Sequence, residues 1–295
     1  MTHSPIPTDP ALQAAGAKPR DDELDVFGLT HRGKVRPDNQ DHYLFCTVHK
    51  TLRVHTTSLV TPELLEIPSQ RLASLFMVAD GVGGSQGGED ASRVTVETMA
   101  LYATHAMRCY FRSEGDDGNG FLHELEVAAQ TSNNNVAARA RERPEIGRMA
   151  TTLTLGLAVW PRLYILQVGD SRAYRFRDDE LTRLTRDQTM AQDLVDRGAL
   201  KPADAERSPL RNILSSAIGR NAAPEVTEHD LRWGDLILLC SDGLSSYVQE
   251  DQILSRCRAR TSAEDLCQGL LELALEAGGP DNITILAAQT RTPAG

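Results

Sequence analysis

Residues 75–92, LFMVADGVGGSQGGEDAS, constrain the fold of this chain more than any other stretch. The apolar run from Leu75 to Ala79 reads as a buried strand. It ends on a carboxylate, Asp80, and Gly81, Gly83, Gly84, Gly87 and Gly88 then break the chain into a loop from which a helix can start. A charged oxygen donor therefore stands at the mouth of a core.

The same device recurs. A strand over 235–240 runs into Asp242-Gly243, Asp281 follows Gly278-Gly279-Pro280 and leads into a strand over 282–288, and Asp170 follows Val168-Gly169. Asp41 lies near Arg36 in an earlier polar stretch. Taken singly, an Asp-Gly step is more readily a turn than a ligand. Gathered at strand ends, with glycines admitting backbone carbonyls, such aspartates form a hard oxygen donor set suited to Mg²⁺ or Mn²⁺. Two such ions could share one aspartate. Clustered carboxylates cannot all stay ionised unless cations compensate them. Other metal chemistries lack a signal: the histidines show no HExxH spacing, and the five cysteines (Cys46, Cys109, Cys240, Cys257, Cys267) form no CxxC pair. Scattered cysteines of odd number fit a reducing compartment, and Cys240 within its strand reads as packing.

The net charge of −10 argues against nucleic-acid or acidic-membrane partners. No apolar run approaches the roughly 20 residues that span a bilayer, and the N-terminus lacks a signal-peptide pattern, so a cytoplasmic location is expected. With 295 residues and 40% hydrophobic content, the chain can bury a large core. Residues 1–23, with four prolines and no periodicity, read as a disordered leader. Residues 25–45 read as a hairpin with a polar tip at Gly33, Pro37, Asp38 and Asn39, and residues 46–73 as a strand end followed by a loop.

Helical spacing puts Ala91, Val94, Thr98, Leu101, Tyr102 and His105 on one face of a first helix, with Glu89 and Asp90 in its first turn. After GDDGNG at 115–120, Leu122, Leu125, Ala129, Val136 and Ala140 mark a second helix, ending before Pro144. Residues 151–159 and 163–169 form one expected hairpin about Trp160-Pro161, and 172–177 with 181–184 another about Asp178-Asp179. Residues 187–224 mix helix and loop. Thr261 and Glu264 suggest a capping box for a helix carrying Leu266, Leu270, Leu273 and Ala277, stopped by Gly278-Gly279-Pro280. Strands dominate and no βαβ alternation occurs, so antiparallel sheets with helices on their outer faces are expected and a Rossmann-type fold is disfavoured.

Order adds what single motifs lack. Arg32, Gly33, Arg36, Asn39, Gln40 and Asp41 are followed by VADGVGG at 78–84 with Gly88, Glu89, Ala91 and Ser92, then by ATTL at 150–153, VGDSR at 168–172, Leu181 to Leu184 with LTRD at 184–187, CSDGL at 240–244, and Gly279, Asp281, Asn282, Ile283 and Thr284. Over residues 25–289 the chain resembles the metal-dependent type-2C protein serine/threonine phosphatases in their compact bacterial form.

That resemblance implies an α+β fold, a four-layer α/β/β/α sandwich of two antiparallel sheets flanked by antiparallel helix pairs. It implies one domain over 24–290, a tail at 291–295 and a flap-like segment at 188–220. It further implies hydrolysis of phosphoserine and phosphothreonine in proteins by a hydroxide bridging two Mn²⁺ or Mg²⁺ ions, with a third, weaker ion. Asp80 would bridge both ions, the Gly81 carbonyl would bind one, Asp242 and Asp281 the other, Asp41 would hold the waters of the ions, and Asp170 would support the third. Arg36, with Asp41 and Asp80 a catalytic residue, would clamp the substrate phosphate with its planar, always-charged fork. Expected partners are phosphorylated proteins, including a Ser/Thr kinase or its substrates, and a monomer is expected. Val82 stands where animal relatives place a histidine proposed as general acid, so leaving-group protonation is expected to fall to a metal-bound water, with His42, beside Asp41, as a lesser substitute. Ser246 replaces a second acid of many relatives, which weakens the third-ion site. Gln188 and Ser208 replace residues that are often histidine. The competing class, a relative that has lost catalysis and serves as a binding module, is disfavoured because Arg36, Asp41, Asp80, Asp242 and Asp281 are all present.

Overall fold

The run LILLC at 236–240 is apolar at every position because each face of its strand meets a different core. The same holds for several strands of this computed structural model, which describes residues 17–50, 70–82, 86–110 and 119–291. One sheet has the order β1 (Leu24–His31), β12 (Ile283–Thr290), β11 (Leu236–Cys240), β8 (Arg172–Arg177), β9 (Glu180–Arg183). The other has the order β10 (Glu225–Asp230), β7 (Arg162–Val168), β6 (Leu153–Val159), β3 (Gln70–Ala79), β2 (His42–Lys50). A short pair, β4 (Gly81–Val82) and β5 (Ala150–Thr151), stands apart, and every pairing is antiparallel.

Period-two alternation sorts the side chains into three cores. From β3, Leu75, Met77 and Ala79 join Met99 of α1 (Gln86–Tyr110) and Leu125 and Val136 of α2 (Asn119–Glu142). From β11, Leu236, Leu238 and Cys240 join Ile253 of α6 (Glu250–Ala259) and Leu266 and Leu270 of α7 (Ala263–Glu276). The intervening residues, Phe76 and Val78 on β3 and Ile237 and Leu239 on β11, meet between the sheets with Leu163, Ile165 and Leu286. Two sheets face to face, each covered by a helix pair, give the expected α/β/β/α sandwich.

Several local expectations change. Residues 25–45 are not a hairpin: β1 pairs with β12 and β2 with β3, so residues 32–41 cross between the two sheets. Alternating apolar residues around turn formers fit a sheet crossing as well as a hairpin. Strand β3 begins at Gln70, inside the stretch expected as loop, and residues 51–69 lie outside the described residues. The polar edge strand β10 and helix α6 carry no apolar run and left no expectation. The buried side of α1 holds Ala91, Ser92, Thr95, Val96 and Met99, whereas Leu101 is 69% exposed. Two buried hydroxyls thus sit on the face read from apolar residues alone, and the side chain of His105 lies outside the described residues.

Helix α7 is capped one residue later than expected, with the Ser262 hydroxyl accepting from the Asp265 N–H. Residues 17–23, expected in the leader, are packed: Lys18 Nζ donates to the Arg71 and Leu72 carbonyls, and Asp21 pairs with Arg71 at 3.1 Å. Residues 1–16, like 83–85, 111–118 and 292–295, lie outside the described residues. The hairpin of β8 and β9 turns through Asp178 and Asp179, both at positive φ, as a tight two-residue turn requires. No helix among the described residues is long and apolar enough to cross a membrane.

Candidate active site

Five loops meet at one end of the sandwich. They are the crossing 32–41, the β3–β4 step at Asp80, the β7–β8 step at Asp170, the start of the short helix α5 (Asp242–Ser245), and residues 279–282 ahead of β12. Register dictates the convergence: His31 lies opposite Ile283, Arg172 opposite Cys240, and His42 opposite Ala79. Each carboxylate seen as the end of a strand is therefore delivered to the same edge.

The crossing is tied down by backbone and by one amide. The Lys34 N–H donates to the Gly279 carbonyl at 2.7 Å, and Lys34 Nζ donates to Leu275 O at 2.8 Å. Gly33 makes this possible at φ 79, where a Cβ would lie 2.1 Å from the Asp281 carbonyl oxygen. Asn282 Nδ2 donates to Arg32 O and to Asp38 O, each at 2.9 Å, and its Oδ1 accepts from the Gln40 N–H at 2.9 Å. One side chain thus holds both ends of the loop that carries Arg36. Gly243 closes the other side, since a Cβ there would fall 1.8 Å from the Asn282 carbonyl oxygen.

Within this frame the carboxylates act on one another. Burial lifts the Asp80 carboxyl well above its usual range, and the charges of Asp41, Asp242 and Asp170 add to it. Burial lifts Asp170 likewise, with Asp242 and Asp187 adding, and it raises Asp242, with Asp281 adding. Asp41 is pushed up to about 7 by burial, against hydrogen bonds from Thr284 and Ser241, with further upward pressure from Asp242 and Asp281. Thr284 Oγ1 donates to Asp41 Oδ2 at 2.7 Å, while Oδ1 is buried without a hydrogen-bond partner. Asp80 is held by its backbone: its N–H donates to Thr152 Oγ1 at 3.0 Å and its carbonyl accepts from the Thr152 N–H at 2.9 Å.

Arg36 sits among these anions and chooses one of them. Its Nε donates to Asp281 Oδ1 at 2.8 Å and its Nη2 to Oδ2 at 2.7 Å. That bidentate pair raises the guanidinium further above its ordinary value, and Asp242 and Asp80 contribute.

The donor set suits hard divalent cations: all side-chain donors are carboxylate oxygens, they repel one another in partial burial, and one buried oxygen lacks a partner. Among the described residues no three His, Cys, Asp or Glu side chains are placed so that they could hold a metal ion together as they stand. Arg36 occupies both oxygens of Asp281, so the guanidinium supplies the compensating charge that a cation would otherwise bring.

The model of the protein phosphatase 2C family matches residues 67–274 of this chain. The chain belongs to that family. It is similar to the serine/threonine protein phosphatase PstP of Mycobacterium tuberculosis, with 38% identity over 217 residues, which cover 73% of this chain and 40% of that protein's length. It is also similar to protein phosphatase PhpP of Streptococcus pneumoniae, with 28% identity over 264 residues, covering 89% and 96% of the two chains. The crystal structure of M. tuberculosis PstP/Ppp superposes with a TM-score of 0.72 at 32% identity, over 91% of this chain and 99% of that one. The catalytic domain of PstP in complex with two manganese ions gives a TM-score of 0.69 at 31% identity, over 91% of this chain and 99% of that one.

Within this protein phosphatase 2C domain, the match at 67–274 takes in Asp80, Gly81, Asp170 and Asp242, while Arg36, Asp41 and Asp281 fall outside it. The structure brings all of them to one cleft except for the candidate acid His42. His42, the first residue of β2, turns instead to α1, where its Nδ1 meets Ser92 Oγ at 2.9 Å. Gln188 is an architectural residue: its Oε1 accepts from the Gly169 N–H and its Nε2 donates to Ala223 O, both at 2.9 Å. Ser208 caps a 3₁₀ turn, accepting from the Leu210 N–H. Asn282, Thr284 and the Arg172–Asp187 pair at 2.7 Å carry no role in the sequence reading, although each stands inside a quoted motif. Nearness to an expected ligand signalled Asn282, next to Asp281, and Arg172, two residues after Asp170, whereas Thr284 and Asp187 lie farther from any expected ligand.

Proposed function

We propose that this chain is a metal-dependent protein serine/threonine phosphatase of bacterial signalling. It would act in the cytoplasm as a monomer on phosphoserine and phosphothreonine in proteins, among them a Ser/Thr kinase or its substrates, with residues 24–290 as a single domain. The observation that carries the reading is the gathering of Asp41, Asp80, Asp170, Asp242 and Asp281 at one sheet edge, with a buried Asp41 oxygen lacking a partner and Arg36 among them.

Asp80, the Gly81 carbonyl, Asp242 and Asp281 would hold two Mn²⁺ or Mg²⁺ ions, with Asp41 beside them and Asp170 serving a third, weaker one. When bound, such ions supply Lewis-acid charge and a water acidic enough to attack a phosphate monoester at neutral pH. The remaining work belongs to the chain. Arg36, released from Asp281, presents Nε and Nη2 as two parallel donors to two phosphate oxygens. Thr284 fixes Asp41 by Oδ2 and leaves Oδ1 as its unused acceptor. Because His42 is engaged by Ser92 and Val82 has no proton to give, the leaving-group proton is left to water in the cleft. Hydrolysis of an aryl phosphate and of a phosphothreonine peptide, each with Mn²⁺, Mg²⁺ or chelator, tests the reading: turnover with either ion and none after exhaustive chelation is expected, and full turnover in chelator would overturn it.

A further inference from the structure

A polar groove of about 590 Å³ opens from the carboxylate cluster, with Asp170 and Asp242 in its lining, and runs under residues 189–212. A volume of that size suits a small ligand or a few peptide residues. Arg172, Arg183, Arg207 and Arg211 also line it. The acids in the groove do not treat these arginines alike. Asp187 lies between Arg172 at 2.7 Å and Arg183 at 3.7 Å, and Glu250 accepts from the Tyr174 hydroxyl at 3.2 Å and lies 3.9 Å from Arg172. Asp170 and Asp242 belong to the cluster that the proposed cations would neutralise. Arg207 and Arg211 line the groove together with Glu206, and neither makes an ion pair with a carboxylate among the described residues.

Both side chains are exposed to solvent. Arg207 precedes the 3₁₀ turn Pro209–Asn212, which Ser208 caps, Arg211 lies within it, and Arg211 Nη1 is held by the Glu206 carbonyl at 3.0 Å. The charge of Arg211 reaches the Tyr247 phenol together with those of Asp242, Asp281 and Arg36, which puts it within Coulombic range of the reacting end. The segment bearing both arginines is anchored at its base to the loops of the cleft: the Gln188 N–H donates to Gly169 O, and Ile218 and Thr151 exchange two backbone hydrogen bonds. Both ends of the segment are therefore fixed beside the cleft.

We propose that this groove binds the substrate segment flanking the phosphorylated residue, and that Arg207 and Arg211 select an anionic side chain there, a carboxylate or a second phosphate. The proposal rests on the phosphatase reading given above. Guanidinium groups without a carboxylate partner on a groove wall favour carboxylate or phosphate, and they disfavour a lysine-bearing segment through like-charge contact.

The test uses phosphothreonine peptides of equal length whose flanking positions are neutral, aspartate, lysine or a non-hydrolysable phosphonate, with an aryl phosphate as reference. The quantity read is the ratio of kcat/KM on an anionic-flanked peptide to that on the neutral one. In the wild type this ratio should be about tenfold or more at low salt and should collapse at high salt. In the Arg207→Glu, Arg211→Glu double variant it should fall below one, and the lysine-flanked peptide should become the better substrate. A larger ratio for phosphonate than for aspartate assigns the groove to a second phosphate, and equal ratios assign it to anionic side chains in general. A ratio near one in the wild type, or the same ratio in both proteins, would overturn the proposal. Should neither aryl phosphate nor any peptide turn over, the phosphatase reading itself fails, and calorimetric binding of the phosphonate peptides to the two proteins still decides the groove.

Discussion

Arg36 and Asp281 are joined by two parallel hydrogen bonds of 2.8 and 2.7 Å, so the expected phosphate clamp and an expected cation ligand satisfy each other. Neither residue can do both jobs at once: a cation at Asp281 must displace the guanidinium, and a displaced guanidinium is then free for an anion. The pair is a place-holder that exchanges one positive charge for another.

Arg36→Ala should therefore tighten Mn²⁺ binding measured by calorimetry, because a competing cation is removed. Its kcat/KM should fall by about 100-fold, the order expected when a charge-assisted donor on the reacting group is lost. Arg36→Lys should recover only part of that loss, since an ammonium cannot present two parallel donors. Weaker Mn²⁺ binding in Arg36→Ala would show that the pair builds the ion site rather than competing with it.

Asn282 should act through Arg36. Its three hydrogen bonds hold both ends of the loop at 32–40, so Asn282→Ala should lower kcat/KM on the phosphothreonine peptide. Combined with Arg36→Ala it should add little, as expected for residues that act as one unit. Full additivity in this double-mutant cycle would separate Asn282 from the arginine and leave it a role in stability alone.

These two relationships show where sequence ceases to inform. Asp80, Asp242 and Asp281 were legible because each interrupts an apolar run beside glycine, and a run that long must be a strand in a sandwich buried on both faces. The Arg36–Asp281 pair joins residues 245 positions apart, and no spacing rule links them. The crossing at 32–41 was misread because a polar turn between alternating strands looks the same whether the strands pair with each other or join different sheets. Strand β10, EVTEHD, was missed because an exposed edge strand needs no apolar face. On α1 the buried Ser92 and Thr95 have the wrong polarity for a pattern search, yet Ser92 Oγ donates to the Gln40 carbonyl at 2.6 Å beside the cleft.

Acid–base linkage offers an independent readout of the cluster. Asp41 stands at about 7 in the folded protein against 3.8 for the ordinary side chain, so between those values the folded state holds a proton that the unfolded chain has released. A carboxyl raised in this way contributes stability that is complete below about pH 4 and is lost as pH rises through about 7. Burial holds His42 and His229 below their usual value, which works in the opposite direction, so the difference between proteins is the quantity to read. In chelator, Asp41→Asn should gain Tm relative to wild type as pH rises from about 5 to about 8, and saturating Mn²⁺ should shrink that gain. A constant Tm difference across the range would remove Asp41 from the coupled cluster.

The most direct measurement is the rate of phosphate release from one phosphothreonine peptide across a Mn²⁺ titration, for wild type and Asp80→Asn side by side. The charges of Asp41, Asp242 and Asp170 all converge on Asp80. Wild-type turnover should rise from zero with Mn²⁺, and Asp80→Asn should show a loss of about 1,000-fold or more together with weaker Mn²⁺ dependence, while thermal unfolding shows the variant folded. Wild-type rates in Asp80→Asn at every Mn²⁺ concentration would contradict that expectation.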